Sequence, residues 1–156
     1  MSVAFRRESD DEHMEPKFEL PIPPGPNWVT ARGLRLTREK VEAMEAVDTV
    51  AMEEEAGKKH KRELRYWRTR LATAELRPVA DGEAVAFGTR VTYRLNRQEK
   101  SVVLVGDDEA DPHEGRISFS SPLARAMMDA EVGEKVDFAG KTEAVEIVAI
   151  EVIAED

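Results

Sequence analysis

The chain has 156 residues, of which 41% are hydrophobic and 35% charged, and its formal net charge is −9. This length suits one ordinary domain plus an elongated helical element, with too much charge for a large core and too much apolar content for full disorder. There is no cysteine, which excludes a disulfide framework and thiolate-based zinc or redox chemistry and fits a reducing compartment.

Residues 1–29 read as a flexible, proline-rich lead. The first eleven residues are mixed in charge without an apolar signal region, and no later run approaches the roughly 18 apolar residues of a membrane span. A cytoplasmic protein with no membrane partner is the expectation. Pro16, Pro21, Pro23, Pro24 and Pro26 remove backbone donors and disfavour helix at the residues before them. Phe18, Leu20 and Ile22 alternate, so an extended strand packed on the body or on a partner is the alternative to disorder.

Residues 30–77 read as an antiparallel helical hairpin, a short coiled coil. Thr30 suits an N-cap. Leu34, Val41 and Met44 fall on one face of the first arm, extended less cleanly by Val47 and Ala51. On the return arm His60, Leu64, Trp67, Leu71 and Ala74 repeat at alternating spacings of four and three, the seam of a helix pair. The turn lies between Val47 and Gly57: either Asp48 caps the second helix or Gly57 ends the first. Asp48, Glu53, Glu54 and Glu55 are then the acids at or near the tip. Between Lys58 and Arg70 lie seven basic side chains and one acid, Glu63. Lys58, Lys61, Arg62, Arg65 and Arg68 make a basic stripe suited to nucleic acid or an acidic channel wall, and a solvated helix face is the plainer reading.

From residue 78 the apolar period changes to two. Val85, Phe87, Val91 and Tyr93, then Val102 to Val105, then Ile117 and Phe119, and finally Val145, Ile147, Ala149 and Val152 mark strands. A short helix from Pro122 to Met128 is capped by Ser121, takes Pro122 in its first turn and faces Leu123, Ala126 and Met127 inward. Gly133 and Gly140 mark turns. Several strands wrapped on one helix make an α+β domain over 78–156.

One stretch in that domain is dense with signal. Val105-Gly106-Asp107-Asp108-Glu109-Ala110-Asp111 is followed by Gly115-Arg116-Ile117-Ser118 and by Ser120-Ser121-Pro122-Leu123-Ala124-Arg125-Ala126. It closely resembles the signature of the C-terminal domain of bacterial Gre transcript-cleavage factors, with matches in order from about Val85 to Ile153. The resemblance implies an FKBP-like antiparallel β domain. It also implies docking on RNA polymerase at the rim of the secondary channel, with Asp108, Glu109, Asp111, Ser120, Ser121 and Pro122 as the contact set. A monomer is implied, with its basic coil face near nascent RNA or DNA. In the hairpin, Thr30-Ala31-Arg32-Gly33-Leu34 resembles the family's opening Thr-Pro-x-Gly-x-x-x-Leu, with Ala31 for its proline and Thr37 for its leucine. Leu71-Ala72-Thr73-Ala74-Glu75 resembles the end of its second helix.

The tip departs from the family. Cleavage there depends on the pattern Gly-Asp-x-x-Glu-Asn-Ala-Glu-Tyr, whose acids help hold a second magnesium ion at the polymerase active site. Nothing between Val41 and Arg62 matches it, and the coil is about twenty residues short, which removes roughly 15 Å of reach. Truncated coils occur in Gre-related proteins that bind polymerase without cleaving RNA, such as the Rnk group and anti-Gre factors.

Three functions compete on this reading. The first is a polymerase-binding regulator with no strong cleavage activity and no catalytic residue or metal of its own. The second is a cleavage-stimulating factor whose tip acids share a magnesium ion with the polymerase. The third is a peptidyl-prolyl isomerase, suggested only by the fold, which confers no activity by itself. His13, His60 and His113 lack the spacing of a metal site. The acids around Asp107 lack the spacing of a calcium loop.

Overall fold

A computed structural model describes residues 19–153. The expectations for Phe18, Pro16 and His13 fall outside those residues. The order of elements is β1 (Trp28–Val29), α1 (Ala31–Glu45), α2 (Glu54–Thr73), β2 (Glu75–Leu76), β3 (Thr89–Leu95) and β4 (Gln98–Val105). A single 3-10 turn (Pro112–Glu114) then precedes β5 (Arg116–Ser118), α3 (Pro122–Met127), β6 (Lys135–Phe138) and β7 (Lys141–Val152). The architecture is α+β, a helical hairpin attached to a five-stranded sheet.

Thr30 starts α1 as the sequence predicts, its side chain accepting a hydrogen bond from the Gly33 amide. The buried stripe of α1 is Gly33, Thr37, Val41 and Met44, so the two smallest residues hold the base of the seam and Leu34 is only half-buried. On α2, His60, Leu64, Trp67 and Leu71 are all half-buried, and His60 Nε2 lies 2.9 Å from the Met44 carbonyl oxygen. Neither proposed turn signal is used. Gly57 sits inside α2, and Asp48 accepts from the Val50 amide at 2.9 Å in the loop between the helices. Glu53 is the N-cap of α2 and makes no side-chain cap bond.

The larger sheet has the order β5-β4-β3-β7-β6. All its pairs are antiparallel except β4 with β5. That pair is parallel because the chain leaves β4 at Gly106, makes an excursion through the acidic loop and the 3-10 turn, and returns in the same direction. Two-residue turns with positive φ join β3 to β4 (Asn96 at 53°, Arg97 at 66°) and β6 to β7 (Ala139 at 54°, Gly140 at 78°). Such turns match the twist of the strands they connect. Strand β6 lay unmarked in the sequence reading. Val85 and Phe87 precede β3 and do not belong to it, although both are buried.

One core cluster holds Val85, Val91, Tyr93, Val102, Leu104, Ala124, Met127, Ala130, Val145 and Ile147. Ser121 caps α3 with a long bond from the Ala124 amide, 3.5 Å, and Ala124 and Met127 are fully buried beneath it.

The end of the proline-rich lead packs on the body of the fold. Trp28 and Val29 pair in parallel with Glu75 and Leu76, and Asn27 and Val29 are buried. The lead runs beside α2 in the same direction: Glu19 bonds Arg65, and eight residues later Asn27 bonds Arg70.

Candidate functional site

The acidic loop after β4 grips the base of the helical hairpin. Two carboxylates do this on two different elements. Asp108 takes the α2 side: Tyr66 Oη donates to its Oδ1 at 2.6 Å, and Arg70 Nε donates to its Oδ2 at 2.5 Å. Arg70 is 2% exposed, and its Nη2 donates to Asn27 Oδ1 at 2.8 Å. Asn27 Nδ2 in turn donates to the Arg70 carbonyl oxygen at 2.8 Å and to Thr73 Oγ1 at 3.1 Å. A buried guanidinium is tolerated only when paired and hydrogen-bonded, and here both conditions are met.

Glu109 takes the α1 side. Thr30 Oγ1 donates to its Oε1 at 2.6 Å while accepting from the Gly33 amide at 3.0 Å. Arg32 Nη1 donates to Oε2 at 3.0 Å. The Glu109 side chain is 4% exposed. A carboxylate over a helix N-terminus is favoured by the helix dipole, so the cap and the acid act as one unit.

Two glycines make room for this joint. A Cβ at Gly33 would stand 2.7 Å from Glu109 Oε1, and one at Gly106 would stand 2.2 Å from the Trp28 carbonyl oxygen. The Thr-x-x-Gly of the hairpin and the Gly-Asp-Asp-Glu of the sheet domain are therefore two halves of one contact. Beside it Trp28 stacks on Phe119 at 4.6 Å, with Phe87 edge-on to both and the Arg77 guanidinium 4.5 Å from the indole. An apolar cavity of about 370 Å³ opens next to the joint, lined in part by Leu76, Val79, Phe87 and Ile153.

This changes the standing of the expected contact set. Asp108 and Glu109 point into the molecule and are engaged with the hairpin. Ser121 is half-buried as the α3 cap, while Asp111, Ser120 and Pro122 are exposed. Ser120 and Ser118 both donate to Asp107 Oδ1, at 3.0 and 2.5 Å, which fixes the loop ahead of α3. Asn27, Trp28, Tyr66 and Arg70 were not singled out from the sequence. The available signal was Tyr66, an aromatic lying off the seam at i+4 spacing between Arg62 and Arg70.

The basic stripe is corrected as well. Arg62 is buried and is not part of an exposed face. Lys58 pairs with Glu54 at 3.1 Å, Arg68 with Glu45 at 2.9 Å, and Arg65 with Glu19. The Arg65 pair holds the Glu19 carboxyl below the usual carboxylate range, chiefly through their hydrogen bond. Lys59 and Lys61 are exposed.

At the tip, Asp48 accepts from the Val50 amide in its own loop, Glu54 pairs with Lys58, Glu53 is the extended N-cap residue, and Glu54 and Glu55 lie about 100° apart around the helix axis. Val50 is 90% exposed and Val47 42%. Among the described residues no three His, Asp or Glu side chains gather as a metal site. No helix among the described residues is long and apolar enough to cross a membrane.

The family described as "Transcription elongation factor, GreA/GreB, C-term" matches residues 80–152, the stretch that holds the acidic loop, α3 and the whole five-stranded sheet. This stretch is similar to the C-terminal domain of GreA/GreB factors. Transcription elongation factor GreA of Sinorhizobium medicae is 42% identical over 74 residues, which is 45% of this chain and 47% of that protein. GreA of Caulobacter sp. is 46% identical over the same length and shares. The match thus spans about half the length of these curated relatives. Among solved structures, GreA factor homolog 1 of Thermus thermophilus aligns over 81% of this chain and 99% of its own at 20% identity, with a TM-score of 0.37. A GreA/GreB factor from Nitrosomonas europaea aligns over 82% and 99% at 18% identity, with a TM-score of 0.39.

Proposed function

We propose that this protein is a Gre-type regulator of transcription elongation. Its GreA/GreB domain docks on bacterial RNA polymerase at the rim of the secondary channel, and the short hairpin occupies the channel without strongly stimulating transcript cleavage. The polymerase is the enzyme in this reading and the protein an accessory factor.

The observation that carries the proposal is the tip. A hairpin whose longer helix has 20 residues extends only about 30 Å, and it ends in an exposed valine with diverging, partly ion-paired acids around it. A magnesium ligand has to sit within about 2.1 Å of its ion, so acids that turn aside cannot complete the ion. With Asp108 and Glu109 engaged inside the molecule, Asp111, Ser120 and Pro122 are the members of the expected contact set left to meet the polymerase. Asp108 and Glu109 instead hold the hairpin at a set angle to that face.

Stalled elongation complexes test this directly. The protein should compete with a cleavage-competent Gre factor and release little shortened RNA by itself, and added magnesium should not restore cleavage. Replacing Glu53, Glu54 and Glu55 together by Ala should leave competition intact. Robust cleavage by the unaltered protein, abolished by that triple substitution, would establish a magnesium-delivering tip and reject the proposal.

A further inference from the structure

The five-stranded sheet carries a second apolar patch, on the face turned away from its core. Along β4, Val102 and Leu104 belong to the core cluster, so Val103 and Val105 lie on the opposite face by the period of two. Both are nonetheless buried, at 4% and 1%. They share the cavity of about 370 Å³ with Phe87, with Ala31 at the start of α1, and with Leu76 and Val79 of the linker after α2. Leu76 and Val79 are large apolar side chains that stand open to solvent, 57% and 73% exposed.

The polar groups of the lining select a ligand. Thr30 and Glu109 are engaged with each other, and Arg32 holds the second Glu109 oxygen. Arg77 differs. Its guanidinium lies 4.5 Å from the Trp28 ring, and it has no carboxylate partner among the described residues. A guanidinium stacked on an aromatic ring keeps the N–H groups around its edge for a planar anion, and its fork matches a carboxylate. The cavity is at the small end of the range for organic-ligand sites. Its walls come from three separate parts of the chain, which suits a compact molecule better than an extended peptide.

We propose that this cavity binds a small apolar monocarboxylate, with its arene or short alkyl body against Val103, Val105 and Phe87 and its carboxylate on Arg77. Such a ligand touches α1, the linker and the sheet at once, and its binding therefore stabilises the hairpin on the sheet. The site does not depend on the polymerase reading, since it needs only the isolated protein.

Titration calorimetry on the full chain tests it, with naphthoate as the probe and naphthalenemethanol as its uncharged counterpart. The unaltered protein should bind the carboxylate about tenfold more tightly than the alcohol, as expected of a charge-assisted hydrogen bond. Arg77→Gln should remove that preference and leave the affinity for the alcohol unchanged. Replacing Leu76 and Val79 together by Ala should weaken both probes, and both positions are exposed enough to leave the core folded. Amide shifts on adding naphthoate should gather at Ala31, Gly88 and Ile153, which line the cavity. Failure of naphthoate to bind, or equal binding by Arg77→Gln, would overturn the proposal. So would amide shifts centred elsewhere or unchanged affinities in the double variant. Naphthoate affinity that falls as protein concentration rises would overturn it too, because a second copy of the chain would then be filling the cavity.

Discussion

Asp108 joins the sheet domain to two residues of α2, Tyr66 and Arg70. It is the counter-charge of a guanidinium that is 2% exposed and the acceptor for Tyr66. Removing one partner of a buried pair costs about 3 kcal/mol or more, because the other charge stays buried without compensation. Asp108→Ala should therefore free the base of α2 while the sheet core stays folded. Hydrogen exchange would show this as faster exchange at Arg70–Thr73 with unchanged protection in β3, β4 and β7. Equal protection at both places would mean that Asn27 alone holds Arg70. Tyr66 adds a pH dependence. Its pKa is raised, first by burial and then by the bond to Asp108, and burial also raises that of Tyr93. A phenol whose folded pKa exceeds its unfolded value of about 10 contributes stability that is fully present below that pH. That contribution is lost as pH rises above it, because the unfolded chain releases the proton first. Denaturant melts across the alkaline range should fall more steeply for the unaltered protein than for Tyr66→Phe. Parallel slopes would reject the assignment.

At the scale of elements, short signals were legible when they were local and less so when they depended on distant neighbours. Thr30 as a cap, the Ser121-Pro122 start of α3, and the β3, β4 and β7 runs follow from chemistry within one turn or one pleat. The eight-residue loop between α1 and α2 does not, since Gly57 and Asp48 offered two turns and tertiary packing used neither. Trp28 looked like part of a lead because its partners, Phe87, Phe119 and Gly106, are far along the chain. The β3–β4 turn is a place where sequence and conformation disagree. Arg97 has φ of 66°, a region that costs a residue with a side chain about 1 kcal/mol and that two-residue hairpins of this kind fill with glycine. Arg97→Gly should raise stability by about 0.5–1 kcal/mol, read as a shift of the denaturation midpoint at constant slope. A lower midpoint would show that the Arg97 side chain contributes something its backbone strain conceals.

The two halves of the molecule depend on each other unequally. The ten-residue core cluster lies wholly between Val85 and Ile147, so the sheet domain owns its packing. The hairpin fully buries only Val41 and Met44 as apolar seam residues, with His60, Leu64, Trp67 and Leu71 half-buried opposite them, and its base is held by Arg70 on Asp108, Thr30 and Arg32 on Glu109, and Trp28 against Phe119. Helices of 15 and 20 residues are marginal in water without tertiary support. The signature loop, legible in the sequence as a family mark, is physically the support that such a short hairpin lacks. A fragment of residues 79–156 should therefore fold, melting at a lower temperature than the full chain because Phe87 and Phe119 lose the indole that covers them. Exposing one aromatic contact of this kind costs roughly 1–2 kcal/mol. A fragment of residues 19–77 should show weak helical circular dichroism, and adding the sheet fragment should restore it if the joint re-forms between separate chains. Full helicity in the isolated hairpin would show that its seam suffices, and Asp108 and Glu109 would then set only its direction.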